Sequence, residues 1–152
     1  MANQIAVIGA GTASGETRRL AEDLGREIAA KGAILICGGL GGVMEAAARG
    51  AKEGGGTTVG ILPGNDKSGA NDYIDIKIVT AMSHARNAII AHTADALIAV
   101  GGQYGTLCEI ALGLKLKKRV IVLVGAKNPF TDVKGIKLAK TPKEAVEMAL
   151  GA

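Results

Sequence analysis

Nearly every short apolar run in this chain ends in glycine. Ile5–Ile8 leads into Gly9-Ala10-Gly11-Thr12-Ala13-Ser14-Gly15, and Ala33–Cys37 leads into Gly38-Gly39-Leu40-Gly41-Gly42. Thr57–Leu62 ends on Pro63-Gly64, and Ala96–Val100 on Gly101-Gly102-Gln103-Tyr104-Gly105-Thr106. With Ile74–Val79 and Val120–Val124 these runs form the strand candidates. Most are continuously apolar rather than alternating, as strands covered on both faces are. Helical patterns fill the intervals at Gly15–Lys31, Gly42–Gly54, Ser83–Ala94, Gly105–Lys117 and Thr141–Leu150. The first is amphipathic through Leu20, Leu24 and Ile28, and the last opens on the capping box Thr141-Pro142-Lys143-Glu144. Strands alternating with helices predict βαβ units. The expected fold is α/β: a single doubly wound, Rossmann-like domain over residues 1–152, its sheet mostly parallel with helices on both faces.

Composition narrows the function. Glycine accounts for 23 of 152 residues, about twice its usual ~7% share, with no collagen period and no linker pattern. The excess therefore serves turns and close backbone approaches. One Phe, two Tyr and no Trp leave too few rings for a single-stranded nucleic-acid platform or an aromatic sugar cleft. Residues 1–114 carry 9 basic and 11 acidic side chains and residues 115–152 carry 9 and 3. The basic ones are scattered rather than massed on one helix face, so no nucleic-acid partner is expected. No run approaches the length of a membrane span, and the start lacks the basic region of a secretory signal, so no membrane partner is expected. Cys37 and Cys108 lie far apart with no CxxC and no nearby His pair. No metal site or disulfide is expected, and the expected setting is the reducing cytoplasm.

In a doubly wound sheet, ligands bind beyond the carboxyl ends of the strands, which is where the glycine clusters fall. Backbone N–H groups at the following helix starts can close on phosphate oxygens where no side chain intervenes. The expected ligand is a small phosphorylated molecule. The candidate binding residues are Gly11, Thr12, Ser14, Gly39, Gly41, Gly42, Arg86, Asn87, Gly101, Gly102, Gly105, Thr106 and Glu109. The first loop is GxGxxxG, one residue longer than the dinucleotide fingerprint, and Cys37-Gly38 stands where an acid would bind ribose hydroxyls. That disfavours hydride transfer, and the absence of GxxxxGK[ST] excludes a P-loop.

Several candidates carry two readings. Arg86 is either a phosphate clamp or an exposed cation near a helix start, where the dipole disfavours it. Asn87 either supplements the clamp or is merely solvated. Thr106 and Glu109 fit a capping box, Thr106-Leu107-Cys108-Glu109, as well as a ligand contact. Thr12 and Ser14 either offer hydroxyls to the first loop or cap the first helix. Met44 reads as core, and Glu45 as a weaker ligand candidate. His84 reads as lining the site, His92 as structural, and Cys108 as a buried inert thiol.

Three segments together resemble the LOG (Lonely Guy) family: Cys37-Gly38-Gly39-Leu40-Gly41-Gly42-Val43-Met44 with Gly60–Gly64, then Met82-Ser83-His84-Ala85-Arg86-Asn87, then Gly101–Glu109. The resemblance implies a phosphate-recognising Rossmann-like protein. Some members hydrolyse the N-glycosidic bond of nucleoside 5′-monophosphates, which would make Arg86 and Glu109 catalytic. A compact branch resembles molybdenum cofactor carriers, which hold a pterin phosphate without turnover. Against the family pattern PGGxGTxxE, Gly101 replaces the proline and Gln103 the second glycine, and Asn87 stands where the family has lysine. These departures resemble the carrier branch. The implied ligand is a nucleotide or the molybdenum cofactor, with no required cofactor, and the alternative is the phosphoribohydrolase. Independently, Ser83–Ala94 and the helix after it are apolar nearly all round, which predicts a homodimer through these helices or a tetramer of such pairs.

Overall fold

The computed structural model describes residues 1–125 and 128–151. Its elements run β1 (Gln4–Gly9), α1 (Gly15–Ala30), β2 (Ile34–Cys37), α2 (Val43–Glu53), β3 (Thr58–Leu62), β4 (Ile76–Val79), α3 (Arg86–Thr93), β5 (Ala96–Val100), α4 (Tyr104–Lys115), β6 (Arg119–Leu123), β7 (Lys137–Ala139) and α5 (Pro142–Ala149). Seven strands form one sheet in the order β4-β3-β2-β1-β5-β6-β7, and every neighbouring pair is parallel. The chain winds outward from β1 through β4, then returns to the other side of β1 as β5. This reversal places the carboxyl ends of β1 and β5 side by side, with Gly9 opposite Val100.

The unbroken apolar runs follow from the two-sided burial. Ile5 and Val7 pack into a layer with Leu24 and Ile28 of α1, Ala47 of α2 and Val146 of α5. Their neighbours Ala6 and Ile8 face the opposite layer with Ile90 of α3 and Ile110 of α4. An alternating strand would place polar groups in one of these layers, where an unpaired one costs a few kcal/mol.

Several expectations are corrected. β7 has no counterpart in the sequence reading, because a three-residue edge strand beginning on an exposed lysine carries no usable period. The Ser83–Ala94 helix is split: a 3₁₀ turn at Ser83–Ala85 precedes α3, which begins at Arg86. α4 starts at Tyr104 with Gln103 as its N-cap, so Thr106 and Glu109 lie inside the helix and Thr106 is not the cap. No helix is long and apolar enough to cross a membrane among the described residues.

Candidate functional site

The site is built where the loops after β1, β2 and β5 meet. Gly42, at φ 64°, would place a Cβ 2.3 Å from the Ala10 carbonyl oxygen. Only glycine lets the second loop rest on the first, and the next amide, Val43, donates to that same oxygen at 3.0 Å. Gly38 serves differently: a Cβ there would lie 2.6 Å from the Met44 sulfur and 2.7 Å from Arg86 Nη2. Its missing side chain is the space that the guanidinium fills.

Arg86 reaches this place through a strained approach. Ala81 and Ser83, neither of them glycine, both sit at φ 52° on the segment entering α3, a conformation costing roughly 1–2 kcal/mol per residue. The side chain is only 9% exposed. Its Nη1 donates to Asn87 Oδ1 and its Nη2 to the Gly38 carbonyl at 3.5 Å. Nε is buried with no partner among the described residues. Of the two readings of Arg86, the exposed cation is the one that this burial removes.

Glu109 projects from α4 into the same cavity and is 7% exposed. It does not reach back to an N-cap amide, so the capping-box reading is corrected. No ion pair closes it onto Arg86 among the described residues. Burial pushes its carboxyl up to about 8, against the pull of Arg86. Burial also lowers the Arg86 guanidinium from its usual range, with Glu109 and Cys37 opposing. Beneath them the fully buried Cys37 thiol is raised to about 11 by burial, although the Gly39 amide donates to its sulfur at 3.4 Å.

A cavity of about 160 Å³ gathers Gly11, Arg86, Asn87, Gly105, Thr106 and Glu109. A second, of about 440 Å³, gathers Thr12, Ser14, Gly101 and Gly102 at the start of α1. Ser14 is the N-cap of α1, yet its hydroxyl makes no capping bond. Gly39, Gly41 and Gly42 line neither cavity. Asn71 holds the turn at Gly39 and Leu40: the Gly39 carbonyl accepts the Asn71 backbone N–H at 2.9 Å, and the Leu40 carbonyl accepts Asn71 Nδ2 at 2.8 Å. Thr12, Ser14 and Gly11 are exposed, so the site opens to solvent on the α1 side.

His84 lines the smaller cavity, as expected. Met44 and Gln103 also line it, and Thr17 and Pro129 line the larger. Met44 is buried, so its apolar character masked its place at the wall. Glu45 lines neither cavity and pairs with Arg18 at 3.0 Å. Cys108 is exposed rather than buried, and His92, also exposed, lines neither cavity.

Residues 2–148 match the SLOG cluster4 family. The chain is similar to the molybdenum cofactor binding protein of Rippkaea orientalis, with 37% identity and a TM-score of 0.91 over 97% of this chain and 95% of that one. It is similar to the molybdenum cofactor carrier protein of Chlamydomonas reinhardtii, with 40% identity and a TM-score of 0.85 over 99% of each. It is 34% identical over 108 residues to a probable cytokinin riboside 5′-monophosphate phosphoribohydrolase of Oryza sativa subsp. japonica. That match covers 66% of this chain and 47% of the relative, so the chain spans about half of it.

Proposed function

The chain belongs to the SLOG cluster4 family, and from that premise we propose that it binds a phosphorylated nucleotide or pterin as a carrier. The observation carrying the proposal is Arg86: a buried cation with a donor unpartnered among the described residues and no carboxylate closed upon it. A buried, half-paired charge is expensive unless an anion completes it. A phosphate completes it well, because the planar guanidinium matches two of its oxygens at once. Gly105 and Thr106, in the first turn of α4 where amides have no partner within the helix, line the same cavity.

Glu109 favours holding over cleaving. Cleavage of an N-glycosidic bond builds positive charge on the ribose, which an ionised carboxylate stabilises. With its carboxyl at about 8, Glu109 is mostly protonated at neutral pH and acts there as a hydrogen-bond donor. The similarity to carriers spans both partners nearly end to end, which supports the same reading. The second reading is a phosphoribohydrolase, in which Arg86 anchors the substrate phosphate and the ionised fraction of Glu109 stabilises the charge that develops on the ribose. It is favoured by the presence of both residues in one cavity and by the partial match to such an enzyme.

Incubation with a panel of nucleoside 5′-monophosphates separates the two. The carrier reading expects binding without released base, weakened at least about tenfold in Arg86→Ala. Base release that disappears in Glu109→Ala would establish the hydrolase instead.

A further inference from the structure

Phe and Tyr number three in the chain, Tyr73, Tyr104 and Phe130, and the last two line one recess beside the site. Tyr104 opens α4 and is 87% exposed. Phe130 lies half-buried on the segment after β6. Its amide donates to Asn128 Oδ1 at 3.0 Å, and Asn128 Nδ2 donates to the Leu123 carbonyl at 3.2 Å. Phe130 is thus tied to the carboxyl end of the sheet rather than carried on a free loop.

Between the two rings lies a recess of about 480 Å³ bounded by Gly102, Gln103, Tyr104, Pro129 and Phe130. None of these side chains is charged. Gln103 also lines the Arg86–Glu109 cavity, while Gly102 and Pro129 also line the hydroxyl-bearing cavity at α1. The recess therefore adjoins both polar cavities. A ligand reaching across would meet cation and amides at one end and flat apolar surfaces at the other.

We propose that the Tyr104–Phe130 ledge binds the planar heterocyclic ring of the ligand, a nucleobase or a pterin, by stacking on the exposed face of Tyr104. The assignment rests on the phosphate-binding reading above and adds the ring end to it. Aromatic stacking tolerates any flat ring, because every such ring presents a π-face. Two aromatics cannot track a nucleic-acid strand, but they suffice for one ring. Gln103, at the junction of the cavities, supplies an amide that can meet a ring edge.

The test compares three probes by calorimetry on the full chain: adenosine 5′-monophosphate, hydroxymethylpterin phosphate and ribose 5-phosphate. At least one ring-bearing probe is expected to bind about tenfold or more tighter than ribose 5-phosphate. Tyr104→Ala should erase that advantage and leave ribose 5-phosphate unchanged, while Tyr104→Phe should keep it. With no Trp in the chain, the variant Tyr73→Phe leaves Tyr104 as the sole tyrosine emitter. Its fluorescence should be quenched by the ring-bearing probe and not by ribose 5-phosphate. A ring advantage that survives Tyr104→Ala, or an equal loss for all probes, overturns the ledge. If ribose 5-phosphate binds and a ring adds nothing, the ledge fails and the phosphate site stands. If no probe binds, both fail. The relative strength of the two ring-bearing probes distinguishes a nucleobase from a pterin.

Discussion

Glu109 is the residue whose chemistry most repays measurement. A carboxyl near 8 in the folded chain and near its ordinary value of 4.5 in the unfolded one keeps its proton only when folded, across the interval between. Stability then falls as pH rises from about 5 to 8, because the folded state holds more protons than the unfolded state. Below the unfolded value the contribution is fully present, and above the folded value it is lost. Glu109→Gln should flatten this slope. Denaturant titrations at pH 5 and pH 8 should show a drop on the order of a few kcal/mol in the parent and little in the variant. Equal slopes in the two proteins would mean that the carboxyl titrates normally. The position of Glu109 was legible from Gly105-Thr106-Leu107-Cys108-Glu109, but its environment was not. A capping box and a cavity wall use the same residue types at the same spacing. Only the helix start decides between them, and Tyr104 rather than Thr106 begins α4.

At the scale of the elements, two helix starts that look alike in sequence behave differently. Thr141 Oγ1 accepts the Glu144 amide at 3.1 Å, and Glu144 Oε2 accepts the Lys140 amide at 2.8 Å. Ser14 stands at the equivalent place before α1 and caps nothing with its hydroxyl. Thr141→Ala should therefore cost about 1 kcal/mol of stability. Ser14→Ala should cost a few tenths at most and show its effect in ligand affinity instead. Thermal unfolding of both variants, with and without a nucleoside 5′-monophosphate, checks the contrast; equal destabilisation would place Ser14 among ordinary caps. The strands β1, β2, β3 and β5 were readable because burial on both faces leaves an apolar run that few other structures allow. β7 was not, since Lys137-Leu138-Ala139 gains its pairing from β6 alone. Gly39, Gly41 and Gly42 were read as ligand contacts because glycine at a strand end serves either a ligand or another loop. Here Gly42 rests on the Ala10 carbonyl, Gly41 faces the Gly11 carbonyl and Asn71 holds Gly39, so each has a neighbouring loop to serve.

The whole molecule leaves apolar surface uncovered. Ile76 and Ile78 on the edge strand β4 are 51% and 43% exposed. With Ile34, Val59 and Ile89 of α3 they border an apolar groove beside β4. We expect a homodimer that covers α3 and this groove, in keeping with the apolar character of both helices. Light scattering at micromolar concentration should return twice the 15.3 kDa chain mass. Ile89→Glu should return the single mass, and a parent protein that is already monomeric would end this expectation. The two cysteines, finally, give the fold a built-in clock. Cys37 is sealed under the site and Cys108 is open to solvent. A thiol-specific reagent should label one sulfur at once and reach the second only as fast as the sheet comes apart. The slow phase of that labelling then counts unfolding events, and a bound phosphorylated ligand should stretch it without touching the fast one.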